Sequence, residues 1–280
     1  MQYKNILVYL DQGASNPERV NTAIAIAKAH GAHLTGVAVN ATPTKNLMLK
    51  LGIGNSQALI EQARVDAQST LERFTQTAEA ADVSFDTRSI ECSENRAPEQ
   101  LARMARIFDI SIMRQANPDK PHANFIRDLT EEVMFSSGRP VFFMPYIGAH
   151  QIPCKTGLIA WDGSKAATRA VHDALPLLES MEKVIILVVD AEKIEHYDKT
   201  SKPGDLLSAH LTAHGINNKV SRIPSAGVST STVVLNELSN TGADILIMGG
   251  YGTPKLREVI MGGVTRTLFE CMTVPVMMSH

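Results

Sequence analysis

The feature that most constrains this chain is an internal repeat. Phe108-Asp-Ile-Ser-Ile-Met113 lies over Ala243-Asp-Ile-Leu-Ile-Met248, and Arg139-Pro-Val-Phe-Phe-Met144 lies over Val274-Pro-Val-Met-Met-Ser279, both at an offset of 135 residues. The opening segments repeat as well: Lys4-Asn-Ile-Leu-Val-Tyr-Leu-Asp11 lies over Lys155-Thr-Gly-Leu-Ile-Ala-Trp-Asp162 at an offset of 151. The first copy therefore carries sixteen extra residues, largely between its second and third strands. A repeat of this length gives two copies of one fold, of which only one must keep the chemistry.

Within each copy, short apolar runs alternate with stretches of helical spacing. In the first, strands are expected at 4–11, 33–39, 83–90, 110–113 and 140–144, and helices at 17–30, 57–80, from Pro98, and at 125–135. Gly31 is placed to close the first helix. In the second, strands are expected at 155–162, 184–189, 219–223, 244–248 and 274–279, with helices at 205–213, 230–238 and 264–272. Five β/α alternations predict an α/β fold: two doubly wound parallel-sheet domains, Rossmann-like, in tandem. The segment 145–153 reads as a linker, giving domains at 1–147 and 148–280.

Composition excludes several function classes. With 44% hydrophobic residues, 20% charged residues and a formal net charge of −2, the chain reads as a globular protein with no field to attract nucleic acid or an anionic membrane. No apolar run approaches the roughly 18 residues of a membrane span, and the N-terminus lacks the pattern of a signal peptide, so a cytoplasmic protein is expected. Cys92, Cys154 and Cys271 are odd in number and widely spaced, which suits reduced thiols. The histidines have no metal-ligand spacing with a carboxylate or cysteine partner, and surface or structural roles are expected for them. A Gly-x-Ser-x-Gly elbow, a P-loop lysine motif and paired catalytic carboxylates are all missing.

The candidate site lies in the second copy. The strand ending at Met248 breaks into Gly249, Gly250 and Gly252, and Gly262-Gly263 precedes the run that opens with Val264 and Thr265. Glycines after a strand also serve tight turns. If the two groups converge, however, free N–H groups at the strand end and helix start form a cradle for phosphate. Lys255 and Arg257 could neutralise phosphate or stand solvated, and the Thr265 hydroxyl could reach phosphate or serve as an ordinary first-turn threonine.

The spacing Gly249, two residues, Gly252, nine residues, Gly262 resembles the nucleotide-binding signature of the universal stress protein family. In that signature the last glycine is normally followed by Ser or Thr; Gly263 stands there instead. The resemblance to tandem universal stress proteins covers essentially the whole chain, and it implies an ATP site with magnesium in 148–280. Asp162, with Ala160 and Trp161 before it, would lie beside the adenine and ribose, and the backbone of Val188 would read the adenine edge. Met248 would pack on the ribose or base. Alternatively, Asp162 only caps the following helix and Val188 only fills the core.

The first copy lacks the motif. At the offset of 135, Arg114, Asn117, Arg127 and Asp128 replace Gly249, Gly252, Gly262 and Gly263, and Asp128 would place negative charge where phosphate should sit. The function expected is an ATP-binding universal stress protein, a stress-response or regulatory binder and at most a weak ATPase. The competing reading is a nucleotide-free interaction scaffold of the same fold. The family also implies an intramolecular pseudo-dimer through 140–144 and 274–279, with a homodimer of whole chains as a further association.

Overall fold

A computed structural model of the chain describes residues 2–42, 56–120, 122–148, 150, 152–194, 200–250 and 263–280. They divide into two compact units, Gln2–Tyr146 and Ile147–His280.

In the first unit, strands β1 (Asn5–Leu10), β2 (His33–Thr42), β3 (Phe85–Ser93), β4 (Ile110–Arg114) and β5 (Val141–Met144) pair in parallel, in the order β3-β2-β1-β4-β5. Helices α1 (Asn16–His30), α2 (Ser56–Ala80), α3 (Ala97–Ala105) and α4 (Ala123–Ser136) connect them. Strands β1, β4 and β5 are buried almost throughout, as their mostly apolar sequences require when both sheet faces are covered. Gly31 ends α1 in the left-handed conformation at φ 58°, and its N–H closes on Ala27 and Lys28 carbonyls. Helix α2 approaches β2 at Gly36, where an added Cβ would lie 2.7 Å from the Phe74 ring, so glycine there lets the aromatic ring pack on the strand backbone.

The second unit repeats the topology. Strands β6 (Thr156–Ala160), β7 (Lys183–Val189), β8 (Asn218–Ile223), β9 (Ile245–Gly249) and β10 (Val276–Ser279) pair in parallel, in the order β8-β7-β6-β9-β10. Its helices are α5 (Lys165–Leu178), α6 (Asp205–Ala213), α7 (Thr230–Thr241) and α8 (Gly263–Cys271). Ser164 caps α5 by accepting the Ala167 N–H at 3.1 Å, and Ser229 caps α7 by accepting that of Thr232 at 3.1 Å.

Both units carry the same brace at the opposite sheet edge. The Asp109 carboxylate accepts the N–H groups of Lys4 (2.7 Å) and Asn5 (2.9 Å), and the Asp244 carboxylate accepts those of Lys155 (2.7 Å) and Thr156 (2.8 Å). Each ties the first strand of its unit to the fourth and satisfies two amides that a strand's first residues would otherwise leave unpaired. The first and fourth strands are thereby fixed against each other, and their carboxyl ends emerge side by side at the edge where open α/β sheets bind ligands.

Candidate functional site

In the second unit that edge is formed by the ends of β6, β7 and β9. Ala160, the last residue of β6, pairs with Leu187 of β7 and Met248 of β9, and the Trp161 N–H extends the ladder to the Leu187 carbonyl at 2.9 Å. Val188 is wholly buried, and its side chain lies 3.1 Å from where a Cβ on Gly204 would stand, so it packs under the start of α6 while its backbone stays in the ladder. Met248 is buried, and Gly249 follows it as the last residue of β9. Gly263 and Val264 open α8, with Thr265 buried just behind them. Ala160, Trp161, Asp162, Val188, Met248 and Gly249 thus come from three adjacent strand ends. Gly252 and Gly262, with Lys255 and Arg257, lie outside the described residues.

Asp162 is exposed, and one carboxylate oxygen accepts the Ser164 N–H at 2.9 Å. The capping bond itself comes from Ser164, so Asp162 shapes the turn ahead of the helix. It makes no ion pair among the described residues, leaving carboxylate oxygen for a ligand hydroxyl or amine.

Gly249 has a second role that its place in a glycine motif conceals. A Cβ built on it would lie 2.4 Å from the Ala167 amide nitrogen and 2.6 Å from the Ala166 carbonyl carbon. Backbone cannot yield at such distances, so the glycine lets the first turn of α5 rest on β9. Gly250 lies just past the strand: its N–H reaches the Ser279 carbonyl at 2.8 Å, and its carbonyl accepts from His280 Nδ1 at 3.0 Å.

The first unit solves the same corner differently. Arg114 stands in the place of Gly249, and its Nη1 donates to an Asp11 oxygen at 2.7 Å. Room for that guanidinium comes from Gly13, where an added Cβ would lie 2.4 Å from Arg114 Nη1. From beneath, the wholly buried Arg19 reaches Asp11 at 3.1 Å while donating to the Tyr9 carbonyl and to Asn16 Oδ1, each at 2.7 Å. Burial by itself would raise the Asp11 carboxyl; the two guanidiniums and the Gly13 amide outweigh it and hold the group below the ordinary carboxylate range. Asp11, the counterpart of Asp162, is therefore closed.

Beside this ion cluster lies a cavity of about 510 Å³ at the carboxyl edge of the first unit's sheet, lined among others by Asp11, Arg114, Asn117 and Lys120. Arg127 and Asp128 are not part of it. Both are exposed on α4, which has already begun at Ala123, and Arg127 bonds to Asn124 at 2.9 Å. The expectation that Asp128 places charge at the phosphate position is thus corrected. What separates this unit from the glycine-bearing one is Arg114, not Asp128.

The model describing the universal stress protein family matches residues 155–280. Residues 155–280 are a universal stress protein domain. Solved structures extend the likeness of fold to the whole chain. A universal stress protein from Archaeoglobus fulgidus DSM 4304 is similar at a TM-score of 0.74 with 19% identity, covering 98% of this chain and 94% of its own. A protein from Pseudomonas aeruginosa UCBPP-PA14, assigned provisionally to the same family, gives a TM-score of 0.61 with 13% identity, over 98% of this chain and 92% of that one. Among curated proteins none matches the chain. At these identities the structures speak to fold alone, and they place the universal-stress-protein fold across both units.

Two features escaped the sequence. Arg19 sits inside an ordinary helical pattern, and only its tertiary partners make it remarkable as a buried cation. His172, His210 and His214, unconnected by any motif, meet in the universal stress protein domain in tilted and edge-on ring contacts, at separations of 5.0 and 4.7 Å. Burial lowers the His210 pKa, and His172 and His214 lower it further. Among the described residues no group of His, Cys, Asp or Glu is placed to hold a metal ion, and no helix is long and apolar enough to cross a membrane. All three cysteines are free; burial, helped by Asp244, pushes Cys154 up to about 12, so it holds no reactive thiolate.

Proposed function

We propose that the universal stress protein domain at 155–280 binds one ATP, with magnesium, as a stress-response or regulatory switch with little or no turnover. The observation that carries this reading is the contrast between the two equivalent aspartates. Asp162 stands at the strand edge with no ion pair among the described residues, whereas Asp11 is closed by Arg19 and Arg114. A carboxylate able to accept from a sugar hydroxyl is thus kept only in the unit that has the glycine spacing. Phosphates would be held by amides around Gly262-Gly263 at the start of α8, where a helix N-terminus favours negative charge. Nothing in the motif set provides a base or nucleophile for rapid hydrolysis.

A second reading has its own support. Gly249 has a packing reason independent of any ligand, since α5 needs it, and a nucleotide-free scaffold would keep it too. Titration calorimetry of the full chain with ATP and magnesium separates the two. One site per chain, with no ADP formed over hours, is expected. Neither heat nor a thermal shift at millimolar nucleotide would instead favour the scaffold.

A further inference from the structure

The cavity of the first unit has the chemistry of a binding site, but not for the ligand proposed in the second. We infer that it takes a small organic carboxylate with an apolar body, a ligand class distinct from nucleotides.

The floor supplies the reason. Two guanidiniums, Arg19 and Arg114, share a single carboxylate, Asp11, and all three are largely withdrawn from water. The adjoining Tyr9 phenol is pushed well up by burial and stays neutral, so it adds no negative charge. One positive charge is left over in a region where an unbalanced ion is costly. Arg19 Nη1, buried, finds no acceptor. Arg114 spends Nη1 on Asp11 and points a weak Nε contact at the Gln115 carbonyl, 3.4 Å away. Its Nη2 has no partner among the described residues, and the side chain lines the cavity. A carboxylate arriving there gains a charge-assisted bond from a donor already held in place. Lys120 and His122 stand on the same lining.

The acceptor side explains the exclusion of nucleotides. One Asp11 oxygen takes the Gly13 N–H at 2.8 Å and lies 3.1 Å from Arg19, and the other takes Arg114. Sugar hydroxyls and a base amine would find this carboxylate occupied. Asp66 and Glu94 also line the cavity. They oppose a triphosphate while leaving a single carboxylate at the arginine end tolerable. Val39, Ala63, Ala67 and Ile126 give the wall an apolar stretch beside polar Gln12, Thr70 and Asn117, and the volume of about 510 Å³ falls within the range of small-molecule sites.

The test uses the full chain with 1-naphthoate and its neutral isostere 1-naphthamide as probes, read by titration calorimetry. Naphthoate should bind at one site, and naphthamide at least about tenfold more weakly, as loss of a charged hydrogen bond implies. Arg114→Met should weaken naphthoate by a similar factor. Because that change also disturbs Asp11, two further variants leave the ion cluster intact: Ala67→Phe, which fills the apolar wall, should abolish binding, and Lys120→Met should weaken it severalfold. ATP in excess should not displace naphthoate. The proposal is overturned if naphthoate does not bind, if acid and amide bind equally, if Ala67→Phe binds as the parent does, or if ATP competes.

Discussion

Arg19 has no exposure to solvent and is the largest side chain so buried. A cation in that position survives only because Tyr9, Asn16 and Asp11 accept from it, and of these only Asp11 carries charge. Removing the carboxylate while keeping its shape, Asp11→Asn, leaves two guanidiniums facing each other without an anion, and should destabilise the first unit by about 3–5 kcal/mol, the usual cost of breaking a buried pair. The pH dependence follows from the direction of the shift. The folded carboxyl titrates below its ordinary value, so its contribution is complete above about pH 4 and is lost as the pH falls through the lowered folded value. Urea denaturation from pH 6 down to pH 2 should show a steeper acid loss for the parent than for Asp11→Asn. Equal slopes would mean that Asp11 carries no such linkage. In the sequence, Asp11 was visible as the carboxylate ending the first strand. Its two arginine partners were not: Arg114 pairs with it across more than a hundred residues, and Arg19, though close in sequence, lies on a helix that begins only at Asn16, so no regular spacing links it to Asp11.

At the scale of elements, the two units place the start of the helix after their first strand by complementary means. In the first, Gly13 on the helix side makes room for Arg114 on the strand side. In the second, Gly249 on the strand side makes room for Ala166 and Ala167 on the helix side. Gly249→Ala should therefore lower stability by about 1–3 kcal/mol with no nucleotide present, as forced overpacking does. The measurement is the midpoint of denaturant unfolding of the ligand-free protein, and an unchanged midpoint would free Gly249 for the ligand alone. The strands and most helices were legible, since apolar runs and helical periodicity survive in each copy, but α5 (Lys165–Leu178) was expected only as the helix following Asp162, without limits. Edges moved by a few residues where side chains give no signal: the third strand runs over Phe85–Ser93 rather than starting at 83, because its pairing with β2 sets its limits. The braces by Asp109 and Asp244 could not be read, although both aspartates stand in the repeated hexapeptides, because an aspartate before an apolar run has many uses. The role of Gly249 in packing was hidden for a related reason: a glycine's neighbours are set by tertiary approach, and sequence spacing reports only that some side chain is unwelcome.

At the scale of the whole molecule, the repeat gives two units of identical strand order whose carboxyl edges differ in chemistry. The first has spent its aspartate on an internal ion cluster, and the second keeps its aspartate exposed. The glycine spacing that points to nucleotide runs through Gly252 and Gly262, so the asymmetry is tested by moving the first copy's residues into the second. Gly252→Asn and Gly262→Arg, which reproduce Asn117 and Arg127 at the equivalent offset, should each abolish ATP binding, because each puts a side chain where the glycine spacing calls for bare backbone. Folding should survive, and the cost should stay within the ordinary range for one substitution, about 1–3 kcal/mol. Asn117→Ala, on the cavity of the first unit, should leave ATP affinity unchanged. Calorimetric titration of the three variants with ATP and magnesium decides the matter. Normal binding by the glycine variants together with loss in Asn117→Ala would transfer the nucleotide site to the first unit, and would also require the Asp11 cluster to rearrange, since both oxygens of its carboxylate already accept from Gly13, Arg19 and Arg114.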